Sequence, residues 1–560
     1  MNNACKRENV ADRLFNFRPL LFSAASFALG IVFAYLRIFK DVSAWWSLLL
    51  LPFAAASFSF CRTAKRFAVT LASVVWLTAC FCFGFASFKS RILDFTDAPQ
   101  YNVTTEVVGQ VKKKQATDYM LLLELDDVQI GGEAQDGRLV AYVSKQYADV
   151  IDVADVLRIH GNVQTNVSFF GKNGFRANEI SKDVRFTLQK AQSIEVMAHK
   201  FDPFATVRNR MERVVYAGMD ETPASVTMAV LTGDTSGIDS DLLQNVRKGG
   251  IAHIFAVSGL HVGALYAFCL LLLRKTSLKR LPKAVHFVLI AFVLCFYAGI
   301  CGFTASVVRA LILCLTSYAC KVLGIKNDLL ETLGLAAFLI LLMNPIELFC
   351  VGFQLSFTAC FGIAFLAKPL GYVCDEGYNR AVLLFAGKHR EKVLQRRKER
   401  EDLPPTLWEK MRRNFFSLLG VSLATQIATA PILLATFGYV SCWGLFLNLL
   451  FVPLISVAFS FLLLFVLVAC VLPMSAASVI LRLPSMLWSA ILLVFEACDF
   501  SKFSVYGLRL PVGGVICYYL ACTFASDKWN ISKKFRKASV WGLTIFFFVA
   551  LIWYNIPVIF

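Results

Sequence analysis

The chain has 560 residues, 57% of them apolar, with a mean hydropathy of +0.62 and a formal net charge of +18. That balance excludes an ordinary soluble globule and a disordered chain, since neither carries apolar residues in such excess. What remains is a protein built largely to sit in lipid.

Apolar runs long enough to cross a bilayer recur at 20–36, 42–60, 67–88, 251–273, 284–301, 303–320, 329–343, 348–367, 415–437, 443–471, 477–497, 511–525 and 540–558. They predict a polytopic α-helical membrane protein of about 11–13 spans. Arg7, Arg13 and Arg18 give the first run the charged start of a signal peptide. Two more runs follow at once, with no small-residue cleavage site before them, so residues 1–88 are expected to be a retained three-span anchor.

Lys and Arg gather at 274–283, in the dense stretch from Lys388 to Arg413 within 368–414, and at 526–539. Basic loops mark the cytoplasmic face. Alternation from a cytoplasmic N-terminus puts all three inside, and puts 89–250 and the C-terminus outside. The loops explain most of the net charge as topology determinants meeting anionic lipid. Recruitment of a nucleic-acid-handling partner is the other reading that charge leaves open. None of the 17 cysteines falls between 83 and 268, so the outer segment has no disulfide framework.

Residues 89–200 change character. Val103–Val111, Tyr119–Ile130, Gly137–Val143 and Val156–Val163 are β-branched stretches divided by Asp/Gly turns. They predict an extracytoplasmic small β-barrel, OB-like, inserted after the third span. OB barrels hold single strands through basic grooves and aromatic platforms. Residues 95–190, however, carry 11 Lys/Arg against 13 Asp/Glu. Lys112, Lys113 and Lys114 are the candidate outer-domain DNA contacts, with Phe169-Phe170 nearby in sequence; a structural or docking role is the alternative. Within 201–250, Phe204, Val207, Met211, Val214 and Val215 recur at helical spacing beside Arg208, Arg210 and Arg213. They predict an amphipathic helix at the outer membrane surface, or one packed on the barrel, followed by linking helices.

The stretch from Gly249 to Gly263 sets His253, Ser258 and His261 inside an apolar run. On a continuous helix, at about 100° per residue, these groups share one polar side while Gly259 and Gly263 form a small-xxx-small side for close packing. The two histidines would stand about 12 Å apart along the axis, too far to share a metal ion. Ser306, Arg309 and Thr316 share a face of the sixth run, and Gln354, Thr358 and Gly362 a face of the eighth. Ser422, Thr425, Gln426 and Thr429 share a face of the ninth, Asn448 sits within the tenth, and Pro431 and Pro453 are expected to break helices. Any single hydroxyl reads as glue between helices. A lone mid-span cation such as Arg309 must face the bundle or water, and five polar-striped runs in one block predict a hydrophilic passage.

Several of these runs resemble the ComEC competence family, integral membrane proteins of bacterial DNA uptake. The resemblance rests on Ala229-Val230-Leu231-Thr232-Gly233-Asp234, His253 through Gly263, Ser306 through Ala310, Gly352 through Phe357, and Gln426 through Pro431 followed by Asn448 and Pro453. It covers about 1–525 and implies a competence-type transmembrane channel core over 251–525, with a basic loop and last span at 526–560. The implied activity is passage of single-stranded DNA across the cytoplasmic membrane during natural transformation. The implied path residues are His253, Ser258, His261, Arg309, Gln354, Gln426 and Asn448, beside the motif residues Gly233, Asp234, Gly259 and Gly263.

Many relatives also carry a C-terminal metallo-β-lactamase-like domain, proposed to degrade the other strand. With six histidines and no His-x-His-x-Asp-His cluster, this chain is expected to be a variant lacking it. No enzyme, catalytic residue, metal or cofactor is therefore expected, and no Gly-x-x-x-x-Gly-Lys-Ser/Thr loop holds a nucleotide. The implied partners are single-stranded DNA, membrane lipid, a cytoplasmic motor or strand-binding proteins and a separate nuclease, with a homo-oligomer left open. Two rivals stand beside this reading. One is a transporter of another polyanionic or lipid-linked substrate. The other is an intramembrane hydrolase using Ser258 and His261, near neighbours on a helix but with no evident orienting carboxylate.

Overall fold

The computed structural model describes residues 18–40, 64–116, 120–148, 150–166, 170–171, 174–255, 257–385, 406–497, 504–508, 510–525 and 533–559. Among them, eight helices are long and apolar enough to cross a membrane, and Leu329–Met343 and Gly513–Phe524 are shorter apolar helices. The expected run at 42–60 lies outside the described residues.

Helices α1 (Pro19–Lys40) and α2 (Ala64–Thr96) approach backbone to backbone. A Cβ on Gly30 would lie 2.1 Å from the Phe81 carbonyl oxygen, and one on Gly84 would lie 2.2 Å from that of Phe27. Lipid supplies no hydrophobic drive between helices, so such close contact carries the packing. The N-terminus of α1 is held from elsewhere: Arg18, 2% exposed, donates through Nε to Asp328 at 2.8 Å. Glu331 accepts from the Leu20 and Leu21 N–H groups, satisfying first-turn donors that have no partner within their own helix. α2 continues to Thr96, eight residues past the run seen in the sequence.

A sheet domain follows: β1 (Asn102–Ala116), β2 (Met120–Ile130), β3 (Arg138–Ser144), β4 (Asp155–Thr165) and β5 (Val184–His199). The pairings run in a ring, β1-β2-β3-β5-β4-β1, antiparallel except for β3 with β5. Alternating residues such as Val107, Leu123, Leu139, Ile159 and Phe186 fill its core. Arg185 ties the domain to the end of α2, reaching Asp94 at 2.8 Å. Helix α3 (Ala177–Ser181) ties it to the bundle, where the Asn344 side chain donates to the Ser181 carbonyl at 2.8 Å.

Helix α4 (Pro203–Gly218) starts at an N-cap, Asp202 accepting from the Phe204 N–H at 2.8 Å, with Pro203 in the first turn. Its apolar face, with Met211, Val214 and Val215 buried, packs into the helix bundle rather than onto the sheet domain. The sheet domain instead meets its polar side, through Arg213 and Asp152 at 2.6 Å and Asn209 and the Val153 carbonyl at 3.4 Å. Helix α5 (Glu221–Thr232) is buried from Pro223 onward. Helices α6 (Ser240–Lys248), α7 (Ala252–Phe255) and α8 (Gly259–Lys275) follow. The continuous helix expected over 251–273 is thus broken.

Beyond it come α9 (Lys283–Ile300), α10 (Ala305–Leu323), α11 (Leu329–Met343), α12 (Val351–Gly362) and α13 (Lys368–Phe385). The last two join through a wide π turn at Ile363–Ala367, next to Pro369, which has no N–H for the helical ladder. The chain ends in α14 (Leu407–Phe437), β6 (Tyr439–Ser441), α15 (Trp443–Val471), α16 (Met474–Ala497), β7 (Ser504–Tyr506), α17 (Val512–Phe524) and α18 (Lys533–Ile559).

The breaks expected at Pro431 and Pro453 do not occur; both prolines lie inside continuous helices. For Pro431 the reason is visible. Proline cannot donate to the carbonyl four residues back, that of Ile427, and the Tyr518 hydroxyl donates to it instead at 2.6 Å. A second correction concerns sidedness. Strict alternation would send the turn after α15 to the basic side, yet Arg210 of α4 donates to the Cys470 carbonyl at 3.2 Å. That turn therefore lies beside α4 and the sheet domain.

Candidate functional site

The site grows from the break between α7 and α8. Ser258 is extended, with φ −116° and ψ 167°, and its Oγ accepts from the Leu260 N–H at 3.3 Å. His261 returns the favour, its Nδ1 accepting from the Ser258 backbone N–H at 3.1 Å. This is a capping box in which histidine fills the place usually taken by Glu or Gln. An accepting Nδ1 requires a neutral ring protonated on Nε2, so this geometry does not use His261 as a cation. His261 is fully buried against the Phe459 ring at 4.7 Å, and its Nε2 has no hydrogen-bond partner among the described residues. His253, on α7, is exposed.

Arg309 comes to the same place from α10. It is 7% exposed, and its Nε and Nη1 have no hydrogen-bond partner among the described residues. The guanidinium lies 5.6 Å from the Phe357 ring centroid on α12. Its Nη2 is 2.9 Å from where a Cβ on Gly259 would stand. Gly259 is therefore small to admit the guanidinium. Gly263, expected to share a packing face with it, has nothing within 4 Å of its Cβ position. Ser356, beside Phe357, has a buried Oγ without a partner among the described residues.

A second irregular segment reaches the bundle interior. Gln426 lies eleven residues before the end of α14, yet its Nε2 donates to the Ser441 carbonyl, and Ser422 donates to the Leu445 carbonyl at 3.3 Å. After α14 the chain therefore doubles back along it. Gly250 joins there, its Cβ position 3.0 Å from the Gly444 Cα. Two non-helical stretches, 249–251 and 439–442, thus meet beside the middle of an apparent span. In lipid such backbone is tolerated only inside protein or along a wet cavity. The Asn448 Oδ1 and Ser441 Oγ are buried there without partners among the described residues.

Other expected path residues are structural here. Gln354 donates through Nε2 to the Leu348 carbonyl at 3.0 Å, closing the turn before α12. The hydroxyls of Thr425 and Thr429 bond to carbonyls of their own helix. Gly233 ends α5 with φ +80°, a left-handed conformation suited to glycine. Asp234 then pairs with Arg208 at 2.8 Å and accepts from the Ser236 N–H and hydroxyl at 3.1 and 2.6 Å. Burial would raise its carboxyl, but Arg208 and Ser236 outweigh that and hold it below the usual carboxylate value.

The lysine run does not form one basic face. Lys112 pairs with Asp126 at 3.3 Å, while Lys114 donates to the Ala148 and Ile151 carbonyls at 2.8 and 3.0 Å. Lys113 is half-buried, and burial lowers its ammonium below the ordinary lysine value. Phe169 lies outside the described residues. Sequence reasoning missed Ser441 and Gly444, and it named Ser356 and Phe357 only within the family run Gly352 through Phe357, without a part in the site; these residue types are unremarkable in a span, and only tertiary contact brings them forward. Among the described residues no group of three or more His, Cys, Asp or Glu is placed to hold a metal ion.

The profile of the family described as Competence protein matches residues 230–530. ComE operon protein 3 of Bacillus subtilis (strain 168) is 25% identical over 256 residues, which cover 46% of this chain and 26% of that protein. The chain thus matches about a quarter of the length of this curated relative. No solved structure matches the chain.

Proposed function

From the premise that the chain belongs to the competence protein family, we propose that it carries single-stranded DNA across the cytoplasmic membrane during natural transformation. The strand would pass along the seam where α8, α10, α12 and the 439–448 segment meet. One observation carries this reading: Arg309 is a buried cation with no carboxylate partner among the described residues, in a bundle where other buried polar atoms also lack partners. An uncompensated charge at membrane depth is costly unless water or an anionic substrate meets it. The phosphate backbone supplies such an anion at every nucleotide.

The ring of five strand pairings supports reading the sheet domain as a small OB-like barrel outside the membrane. Lys112, paired with Asp126, and Lys114, bonded to backbone carbonyls, support a docking role over direct capture of DNA. The capping roles of Ser258 and His261 leave neither in the donor–acceptor arrangement a hydrolase needs, so we read the protein as a channel and not as an enzyme. A cytoplasmic motor or strand-binding protein would supply the pull.

A chromosomal deletion complemented by wild type and by R309A tests the proposal. Deletion should abolish transformation. R309A should bind DNA at the cell surface but leave it outside the cytoplasm, at normal protein abundance. Undiminished transformation in the deletion strain would refute the function; undiminished transformation with R309A would remove Arg309 from the path.

A further inference from the structure

Arg309 does not merely lie in the bundle; it is pressed against the start of a helix. Helix α8 has 17 residues, and although Ser258 already accepts from its Leu260 and His261 N–H groups, its N-terminal end carries the positive pole of the aligned peptide dipoles. The Arg309 Nη2 sits 2.9 Å from the Cβ position of Gly259, the first residue of that helix. Two positive features are thus held together in a place closed to bulk water. Arg309 is only 7% exposed, and its Nε and Nη1 have no acceptor among the described residues. Phe357 covers it at 5.6 Å but satisfies no N–H. Such an arrangement lacks one component, an anion with oxygens for the unfilled N–H groups.

We propose that the N-terminus of α8 and Arg309 together form a station that binds one phosphodiester group of a nucleic-acid strand. The inference rests on the transport reading and deepens it by naming the atoms that meet the backbone. A phosphodiester presents one charge and two free oxygens, which match the guanidinium fork, and the dipole at the capped helix end favours an anion there. Gly259 sets the access, because any side chain there pushes the guanidinium off the helix end. A lipid phosphate would offer the same chemistry, but Arg309 is buried within the bundle instead of facing the bilayer.

The test uses the full chain in nanodiscs and a fluorescent twelve-nucleotide oligothymidylate, with affinity measured by anisotropy over a range of salt. R309Q should bind about tenfold more weakly or worse. The slope of log affinity against log salt should fall by about 0.7, the value for one lost phosphate contact on a single strand. G259A crowds the flexible tip of Arg309 and touches the Ala310 Cβ at an ordinary 3.4 Å, so it is expected to fold normally. It should lose affinity about threefold and shift the slope in the same direction, so it decides the matter if R309Q does not fold. An oligonucleotide with a neutral methylphosphonate backbone should bind wild type and R309Q alike.

An unchanged salt slope in both variants, with wild type binding normally, would overturn the station while leaving the transport reading standing. Phospholipid that copurifies with wild type and is lost from R309Q, with the slope unchanged, would assign the site to lipid and overturn the proposal. Failure of wild type to bind the oligonucleotide, together with normal transformation in the deletion strain, would overturn both.

Discussion

Asp234 shows how one carboxylate seats a helix. It joins the end of α5 to Arg208 on α4, and both side chains are largely buried, at 17% and 13% exposure. A carboxyl held below its unfolded value stabilises the fold above that value, and the contribution is lost as pH falls through the lower folded one. The latch should therefore be intact at neutral pH and open on acidification below about 4, the ordinary aspartate value. D234N should cost about 1.5–3 kcal/mol at pH 7, and its thermal stability should fall less than that of wild type on acidification. Melting curves of the two proteins that stay parallel down to pH 3 would show that Asp234 contributes nothing through its charge. Glu212 and Lys113 share this joint, and burial favours the neutral form of each.

His261 makes a second prediction at the same scale. Its role as a neutral acceptor in the capping box can be taken by glutamine but not by leucine. H261Q should keep the stability of wild type, whereas H261L should lose about 1 kcal/mol by melting in detergent. Equal loss in both would mean that the Phe459 contact, and not the cap, is what His261 supplies.

At the scale of elements, the helices were legible because apolar runs of spanning length have few other uses. What escaped was how they are interrupted. Ser258 and His261 read as a polar stripe on a continuous helix; a Ser-x-x-His pair that caps a new helix has the same spacing. Pro431 read as a break because the compensating donor, Tyr518, is 87 residues away. Strand β5 went unseen because its outer half, from Gln189 to His199, has no buried position and so no alternating pattern. The site was legible in its residue types, Arg309 above all. Its geometry was not, since contact between Gly259 and Arg309 depends on the turn that brings α10 back beside α8.

The Tyr518 repair is open to a double-mutant test. Y518F leaves the Ile427 carbonyl buried and unpaired, which should cost about 1–3 kcal/mol. P431A restores a backbone donor to that carbonyl, so Y518F should cost much less in the P431A background. Additive losses in thermal melts would mean that Tyr518 stabilises α17 by packing alone.

For the whole molecule, the decisive question is which elements share a side of the membrane. The basic segments at 274–283 and 368–414 argue for one face, and the sheet domain is expected on the other. The polar side of α4 joins that domain through Arg213 and Asp152, while Arg210 holds the Cys470 carbonyl. Gly218, at the far end of α4, has its Cβ position 2.8 Å from Leu481. The end of α15 and the start of α16 must therefore lie with the sheet domain, against strict alternation. In a background without native cysteines, a membrane-impermeant maleimide should label F201C and V471C in intact cells, both positions being exposed at 85% and 86%. W408C, at the start of α14 and 66% exposed, should react only after permeabilisation. Labelling of F201C without V471C would break the contact between α4 and the turn, and with it the re-entrant course of the chain past Gln426. Labelling of W408C in intact cells would reverse the protein in the membrane, so that a strand entering from the sheet-domain side would be leaving the cell.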